Sequence, residues 1–438
     1  MIPTQITQWQ LSADALNGTG KFSDKSALVK FPRETDERYS QRKTLSFYRN
    51  FMREKCMRIA GYLSTKQVLR EVNHPLLDEL IDDCDLKGNS ISVFMSSLVV
   101  ELKARGTMLV LVDMPADMNE SLRKSPYFVP ILPETITDYV LGVNGKLTSL
   151  SFNTTQLVEG KDKSVTRTYT TEGWTVKDGD KVLAQGDYNL GGLCPVVAIT
   201  EHGDFPCVGE FYQIAEISVA IMNKESEKND ILRNQTFSIL TYQIPIAETD
   251  IQRDIIDSET AAAVESLGTN NMLTYQGERP AFVAPDASPA ETIETHIQRL
   301  KEDIDNIAYN VVFDGTESGV AKRYRFQDLN SALSRLARKC EDGERQLLNL
   351  ACLWLGMQPN FIVQYASDYN LTDIESDIAM LTNLQAVSAP PAYQQAKLKA
   401  IARIDLAGLD QVELDQVLAQ IDEASFEVAP QGNAGIAP

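Results

Sequence analysis

The chain has 438 residues, 43% of them hydrophobic and 8% aromatic, which is enough for two to four domains with buried cores. Its 61 acidic residues outnumber its 41 basic ones, and the formal net charge of −20 argues against tight binding of nucleic acid through phosphate neutralisation, although not against a surface past which a polyanion slides. The longest apolar runs, such as Met108 to Val112, are far too short to span a bilayer, and Met1-Ile2-Pro3-Thr4-Gln5 has neither the basic start nor the apolar block of a secretory signal, so a protein made and used in cytosol is expected.

Residues 1 to 27 are rich in Ser, Thr, Gln and Gly and read as an arm, extended or ordered only by neighbours. From Lys30 to Arg70 the balance reverses, with eleven Lys or Arg against Glu34, Asp36, Glu37 and Glu54. Asp36 is expected to cap a helix carrying Tyr39, Leu45, Phe47, Phe51 and Ile59, closed by Gly61. Its basic face is either solvated or in contact with an acidic neighbour or DNA. A short helix starts at His74-Pro75, and a longer one is capped by Asn89 or Ser90 and ends at Gly106.

Thr107 to Val112 is β-prone and apolar at every position, which predicts a central strand covered on both faces. Residues 127 to 200 read as a β-meander, Tyr127 to Leu132, Thr137 to Val143, Leu147 to Asn153, Thr166 to Thr171 and Thr175 to Lys177, with turns at Asn144-Gly145, Glu172-Gly173 and Asp178-Gly179. Pro195 to Ile199 adds one short strand. Gly209 opens a helix to Thr236 whose apolar stripe is interrupted between Asn223 and Asp230. A small module follows, with strand Phe237 to Ile244, helix Asp257 to Leu267, and strands Met272 to Tyr275 and Ala281 to Ala284.

Two long amphipathic helices come next. Ser288-Pro289 starts the first, in which Ile293, Ile297, Leu300, Ile304, Ile307 and Val311 share one face, while Glu291, Glu294, Glu302 and Asp305 run along the far side. The second carries Phe326, Leu329, Leu333, Leu336, Cys340, Leu347, Leu350 and Trp354 and stops at Gly356. At lengths of about 36 and 48 Å these helices need a partner along the whole stripe. A neighbouring copy of the chain is expected to provide it. The loop between them is Asp314-Gly315-Thr316-Glu317-Ser318-Gly319. Beyond Gly356 come an apolar piece, Phe361 to Tyr365, short helices around Leu371 to Val387, Ala392 to Ile404 and Leu409 to Ile421, and a Gly-, Ala- and Pro-rich tail from Ala429.

No dinucleotide fingerprint, phosphate loop or nucleophile elbow occurs. The six cysteines (Cys56, Cys84, Cys194, Cys207, Cys340 and Cys352) have no paired spacing and are expected to be buried free thiols. Cys194, His202 and Cys207 match no zinc spacing and lack a fourth ligand. His296 sits among Thr and Gln on a helix, and an exposed or neighbour-facing imidazole is expected. Paired acids abound, but sequence alone does not give their separation in space. No enzyme, metal or cofactor is therefore expected.

The order of elements resembles the portal protein of tailed bacteriophages, and so do Phe31-Pro32-Arg33-Glu34-Thr35-Asp36 with Tyr39, Phe47-Tyr48-Arg49-Asn50-Phe51, Ile59-Ala60-Gly61-Tyr62-Leu63, and Gly106-Thr107 to Asp113-Met114-Pro115 with Pro126-Tyr127. The resemblance spans residues 30 to 360. It implies an α+β portal fold: arm 1–29, wing 30–208, stem helix 209–235, clip 236–287, second stem helix 288–312, tunnel loop 313–324, a long wing helix and return 325–370, crown 371–428 and a disordered tail 429–438. It also implies a ring, usually dodecameric, at a capsid vertex of the virion, assembled in the host cytoplasm. Terminase packages DNA through such a ring and the tail receives it.

The partners implied are a head-tail adaptor, major capsid and scaffold proteins, and double-stranded DNA held without sequence specificity, with no membrane. Under that resemblance Glu291, Glu294, Glu302 and Asp305 face the channel, and the tunnel loop is Asp314, Gly315, Thr316, Glu317, Ser318 and Gly319 with Lys322 and Arg323 for transient phosphate contacts. The competing readings are another oligomeric ring or adaptor of a phage, and a cytosolic hydrolase built on an acid pair.

Overall fold

The computed structural model describes residues 3–32, 34–115, 123–158, 161–236, 239–241, 281–283, 288–309, 319–369, 390–405 and 411–423. It is of mixed helix and sheet class, and its chain divides into two compact units, Met1–Tyr369 and Asn370–Pro438.

The N-terminal segment corrects the sequence reading. Instead of an arm it forms helix α1 (Pro3–Asn17), followed by the single turn α2 (Gly20–Ser23). Trp9 is 0% exposed, and Ser12, Ala13, Ala15 and Leu16 are buried beside it. Small side chains let α1 approach its neighbours closely, so a segment polar on average still buries one face. The single helix expected from Asp36 to Gly61 is in fact two, α3 (Asp36–Leu45) and α4 (Phe51–Leu63). The side chains of Thr35 and Asn50 accept from the backbone N–H groups of Arg38 and Arg53, so each helix has its own N-cap. Gly61 does not close α4, because it keeps a helical backbone without positive φ and the helix runs on to Leu63.

Strand β1 (Leu69–Val72) precedes α5 (Pro75–Asp82), which His74 caps, and α6 (Ile91–Arg105), which Ser90 caps. Gly106 ends α6 at φ +81, and a Cβ there would lie 2.0 Å from the backbone nitrogen of Gly209. Glycine is therefore required twice over, by the left-handed backbone and by the close approach of the two chain segments.

Strand β2 (Thr107–Asp113) is central in an antiparallel sheet of order β3-β2-β9, with β3 at Tyr127–Ile131 and β9 at Val196–Thr200. Its apolar run has a simple cause. Met108, Val110 and Val112 join the core that the helices share, while Leu109 and Leu111 join a second core under the other sheet. Alternation sends successive side chains to opposite faces, and both faces are covered.

The other sheet is the meander β4 (Ile136–Leu141), β5 (Leu147–Val158), β6 (Lys161–Tyr169), β7 (Gly173–Asp178) and β8 (Lys181–Asp187). Strand β3, which the sequence reading placed in the meander, pairs with β2 instead, and β8 was not anticipated because both of its faces are largely solvated. The hairpin of β5 and β6 also extends past the expected ends, pairing Thr154 with Val165 and Gln156 with Lys163.

Helix α7 (Tyr212–Thr236) leads to β10 (Ile239–Thr241), which pairs antiparallel with β11 (Ala281–Val283) just before α8 (Ser288–Ile307). The expected helix Asp257 to Leu267 and strand Met272 to Tyr275 lie outside the described residues. Helix α8 ends at Ile307 rather than Val312, and Tyr309 takes a positive φ of 52. Helix α9 (Gly319–Trp354) has 36 residues, about 54 Å at 1.5 Å per residue. It crosses the three-stranded sheet at Gly343, where a Cβ would lie 2.5 Å from Ile199 Cδ1, and Gly356 at φ +66 follows its end. Strand β12 (Phe361–Gln364) then pairs antiparallel with β1.

In the second unit α10 (Pro391–Asp405) and α11 (Gln411–Glu423) pack together. The Gln395 amide donates to the carbonyls of Ile421 and Asp422, and Lys399 pairs with Asp422 at 2.5 Å. Residues 371–387 and the tail from Ala429 lie outside the described residues. Among the described residues no helix is long and apolar enough to cross a membrane.

Candidate functional site

The four acids singled out by sequence lie on α8, which packs on α7. Tyr309, just past α8, donates its hydroxyl proton to Glu210, just before α7, at 3.1 Å, while Lys228 late in α7 meets Glu294 early in α8 at 2.6 Å. The two helices are thus antiparallel, and the β10–β11 pair closes their far ends. Lys228 also reaches Glu225 at 2.7 Å. Burial opposes the charge on Lys228, yet its two carboxylates hold the ammonium above its ordinary range, and Lys228 in turn holds the Glu294 carboxyl below its own. Burial and pairing therefore account for the charged interruption that the sequence shows in the α7 stripe.

The apolar stripes give a second correction. Ile297 and Ile304 of α8, and Leu329, Leu333, Leu336, Cys340, Leu347 and Leu350 of α9, are all buried within one chain. Helix α8 packs on α7, and α9 packs on α4, the sheet and β12. Ile293, Leu300, Ile307, Phe326 and Trp354 are only partly buried against the same core and Val311 lies outside the described residues, so among the described residues the chain itself covers the centre of each stripe. Amphipathicity shows that a face is covered but not by what, and α1, which the sequence reading left out of the core, adds to the cover.

Glu291, Glu294, Glu302 and Asp305 do fall on one flank of α8, within about 80° of arc at about 100° per residue. Glu291 and Glu302 are exposed. Asp305 is half-buried and pairs at 2.6 Å with Lys55, which is itself buried. The flank thus combines two outward acids with two that tie α8 to α7 and α4. Asp314, Gly315, Thr316, Glu317 and Ser318 lie outside the described residues. Helix α9 begins at Gly319 rather than Arg325, so Gly319, Lys322 and Arg323 belong to its first turns.

Basic residues between Lys30 and Arg70 are largely neutralised in place. Arg42 is buried, its guanidinium gripping Glu34 with two bonds of 2.8 Å and donating to Ser226 of α7. The same two bonds hold the Glu34 carboxyl below its ordinary range. Arg38 reaches Asp230 at 3.2 Å, Arg58 reaches Glu54, and Arg70 reaches Glu344 of α9. Beside this segment a cleft of about 210 Å³ is lined by Arg38, Arg42, Arg233 and Asp230 among others. The hydroxyls on its wall are engaged, Ser46 with the Lys43 carbonyl and Ser226 with Arg42.

Five of the six cysteines are buried as expected, and Cys207 is half-buried. All six are free, and burial pushes the thiols of Cys84 and Cys340 up to about 12 and that of Cys194 up to about 11. Cys194 lies against the Tyr169 carbonyl in the core between the sheets, so it does not meet His202. His202 instead faces Glu201 and Glu210, a grouping no sequence spacing announces, because the two glutamates are brought together by backbone bonds from the Gly106 corner. His296 is exposed, as its neighbours in sequence imply.

No family model matches the chain, and no curated protein does. Solved structures do resemble it. A chain from the virion of a native gene transfer agent particle has a TM-score of 0.42 and 14% identity, covering 92% of this chain and 99% of that one. One from the neck of an empty gene transfer agent particle has a TM-score of 0.43 and 12% identity, again covering 92% and 99%. A portal protein of the HK97 phage family from Corynebacterium diphtheriae has a TM-score of 0.36 and 10% identity, covering 72% of this chain and 91% of that one.

Proposed function

We propose that the chain is the subunit of a portal, a ring at one capsid vertex through which terminase drives double-stranded DNA into the head and through which that DNA later passes to the tail. One observation carries the reading: antiparallel helices α7 and α8 leave and re-enter the body side by side, closed at their outer ends by β10 and β11, with residues 242–280 inserted between the two strands. A helix pair closed by two short strands, followed by one long helix that crosses a sheet, fits the stem, clip, stem and wing order that the sequence suggests. The acidic balance supports it further, because a bore that repels phosphates lets DNA move without sequence-specific contacts.

In this reading α7 and α8 are the stem, 237–287 the clip, 308–318 the tunnel loop and 371–428 the crown. Glu291 and Glu302 face the bore, while Glu294 and Asp305, neutralised by Lys228 and Lys55, brace the helix beside it. Subunits associate heterologously about one axis, which closes a ring instead of a two-fold dimer. Because the centres of the long apolar stripes are buried within the chain, contacts between copies draw on their half-buried edges and on other surfaces.

Electron microscopy of the purified chain in negative stain tests the reading. Rings with an open axis are expected, and a population that stays monomeric at high concentration overturns it. A Lys322→Ala, Arg323→Ala double variant checks the role of the residues after the tunnel loop. It is expected to form the same rings yet package less DNA in an assembly assay with the terminase and head, and unchanged packaging removes these two from the DNA path.

A further inference from the structure

Where β9 hands over to α7, a cluster outside the proposed channel has the makings of a cation site. Glu201 and His202 directly follow β9, and Glu210 stands two residues before α7. Backbone bonds fix the frame, from Glu201 N to the Gly106 carbonyl at 2.8 Å and from Gly209 N to the Arg105 carbonyl at 3.0 Å. Each carboxylate is held by outer donors. Lys103 grips Oε1 of Glu201, and the Tyr309 hydroxyl donates to Oε2 of Glu210 at 3.1 Å, with the Lys103 ammonium 3.7 Å from the same oxygen. The remaining oxygens turn toward the imidazole, with Glu210 Oε1 at 3.1 Å and Glu201 Oε2 at 3.8 Å from His202 Nε2, and Glu201 Oε2 also accepts from the Glu210 N–H at 3.2 Å.

His202 Nε2 is itself shielded from solvent and makes no hydrogen bond of acceptable geometry. A buried nitrogen 3.1 Å from a carboxylate oxygen but without hydrogen-bond geometry is poorly satisfied unless something is bound beside the pair. A void of about 20 Å³ adjoins all three residues, which is room for one ion or one water. The three donor atoms lie within 4.8 Å of one another. Tetrahedral ligands at 2.0–2.1 Å from a metal stand about 3.3 Å apart, between the two separations seen here. Of the cations nearby, Lys103 reaches both carboxylates and Arg335 lines the same void.

We propose that Glu201 Oε2, His202 Nε2 and Glu210 Oε1 bind a divalent first-row cation of the zinc or manganese kind. The imidazole selects against calcium and magnesium, which prefer all-oxygen shells. Lys103 and Tyr309 orient the ligands from outside, as such donors do in metal centres. The ion clamps the end of β9 to the start of α7 and, through Tyr309, to the end of α8. This inference is independent of the portal reading, because it needs only a single folded chain.

Its test is titration of the full chain, stripped by chelator, with Zn²⁺, Mn²⁺ and Mg²⁺ by calorimetry, and with Co²⁺ by visible absorption. One Zn²⁺ per chain, a higher melting temperature on loading and only weak Mg²⁺ binding are expected. His202→Ala and Glu210→Gln each weaken Zn²⁺ binding by at least about 100-fold while melting like the wild-type chain when metal-free. Two variants keep the test valid if one of them misfolds. Cys207→Ser leaves the affinity and the Co²⁺ spectrum unchanged. Absence of saturable Zn²⁺ and Co²⁺ binding overturns the proposal. So does equal affinity in His202→Ala, or a sulfur-to-cobalt band that Cys207→Ser removes.

Discussion

Trp9→Ala is expected to destabilise the first unit by about 3–5 kcal/mol, the range for truncating a large aromatic side chain in a core. Trp9 is 0% exposed, and its α1 helix packs on α4, α6 and α7. The loss comes from the cavity rather than the polar contact. The indole Nε1 donates to the Cys207 carbonyl at 3.1 Å, but that oxygen also accepts from Thr107 Oγ1 at 2.6 Å and keeps a partner when the indole goes. Trp9→Phe therefore costs far less, about 1 kcal/mol from the lost bond plus a small void. Denaturant unfolding followed by far-ultraviolet circular dichroism measures both, with the chains compared at equal concentration because assembly adds apparent stability. A Trp9→Ala chain as stable as the wild type returns residues 3–17 to the status of a loose arm.

That segment shows where the sequence was readable and where it was not. Periodicity located α6, α7, α8 and α9 because each carries a stripe of large apolar side chains over several turns. It missed α1, whose buried face is mainly Ser12, Ala13 and Ala15 around one tryptophan, since small residues pack well while adding little to an average hydrophobicity. The apolar run of β2 correctly announced a strand covered on both faces, but β8 lacks the alternation that marks a half-buried strand.

The candidate sites were less legible than the fold. Helical spacing does place Glu291, Glu294, Glu302 and Asp305 on one flank, because spacing within one helix is a local property. That Lys55 would claim Asp305 and Lys228 would claim Glu294 depends on which helices pack together, and sequence distance carries no trace of either pair. The same holds for His202, whose partners Glu201 and Glu210 converge only after the Gly106 and Gly209 backbones meet.

Arg70→Ala is expected to cost about 3–5 kcal/mol, because it leaves a buried carboxylate without its cation. Glu344 of α9 is 0% exposed, and Arg70 of β1 donates to it twice, at 2.6 and 3.0 Å, while the Tyr365 hydroxyl donates at 2.7 Å. Burial opposes the charge on Arg70, but its bonds to Glu344 leave the guanidinium above its ordinary range, and burial together with Glu344 drives the Tyr365 phenol far up. With Arg70 gone, Tyr365 alone cannot offset the desolvation of the carboxylate. The site also couples distant parts of the chain, since Arg70 faces Val363 across the β1–β12 ladder and Glu344 belongs to the helix that crosses the sheet.

A double-mutant cycle separates the pair from its surroundings. Glu344→Gln removes the charge but keeps the shape, so the Arg70→Ala, Glu344→Gln chain is expected to be more stable than the sum of the single losses by about 1–3 kcal/mol. Strict additivity means that Arg70 contributes through packing along its stem alone, and the carboxylate of Glu344 is then satisfied by Tyr365 without it.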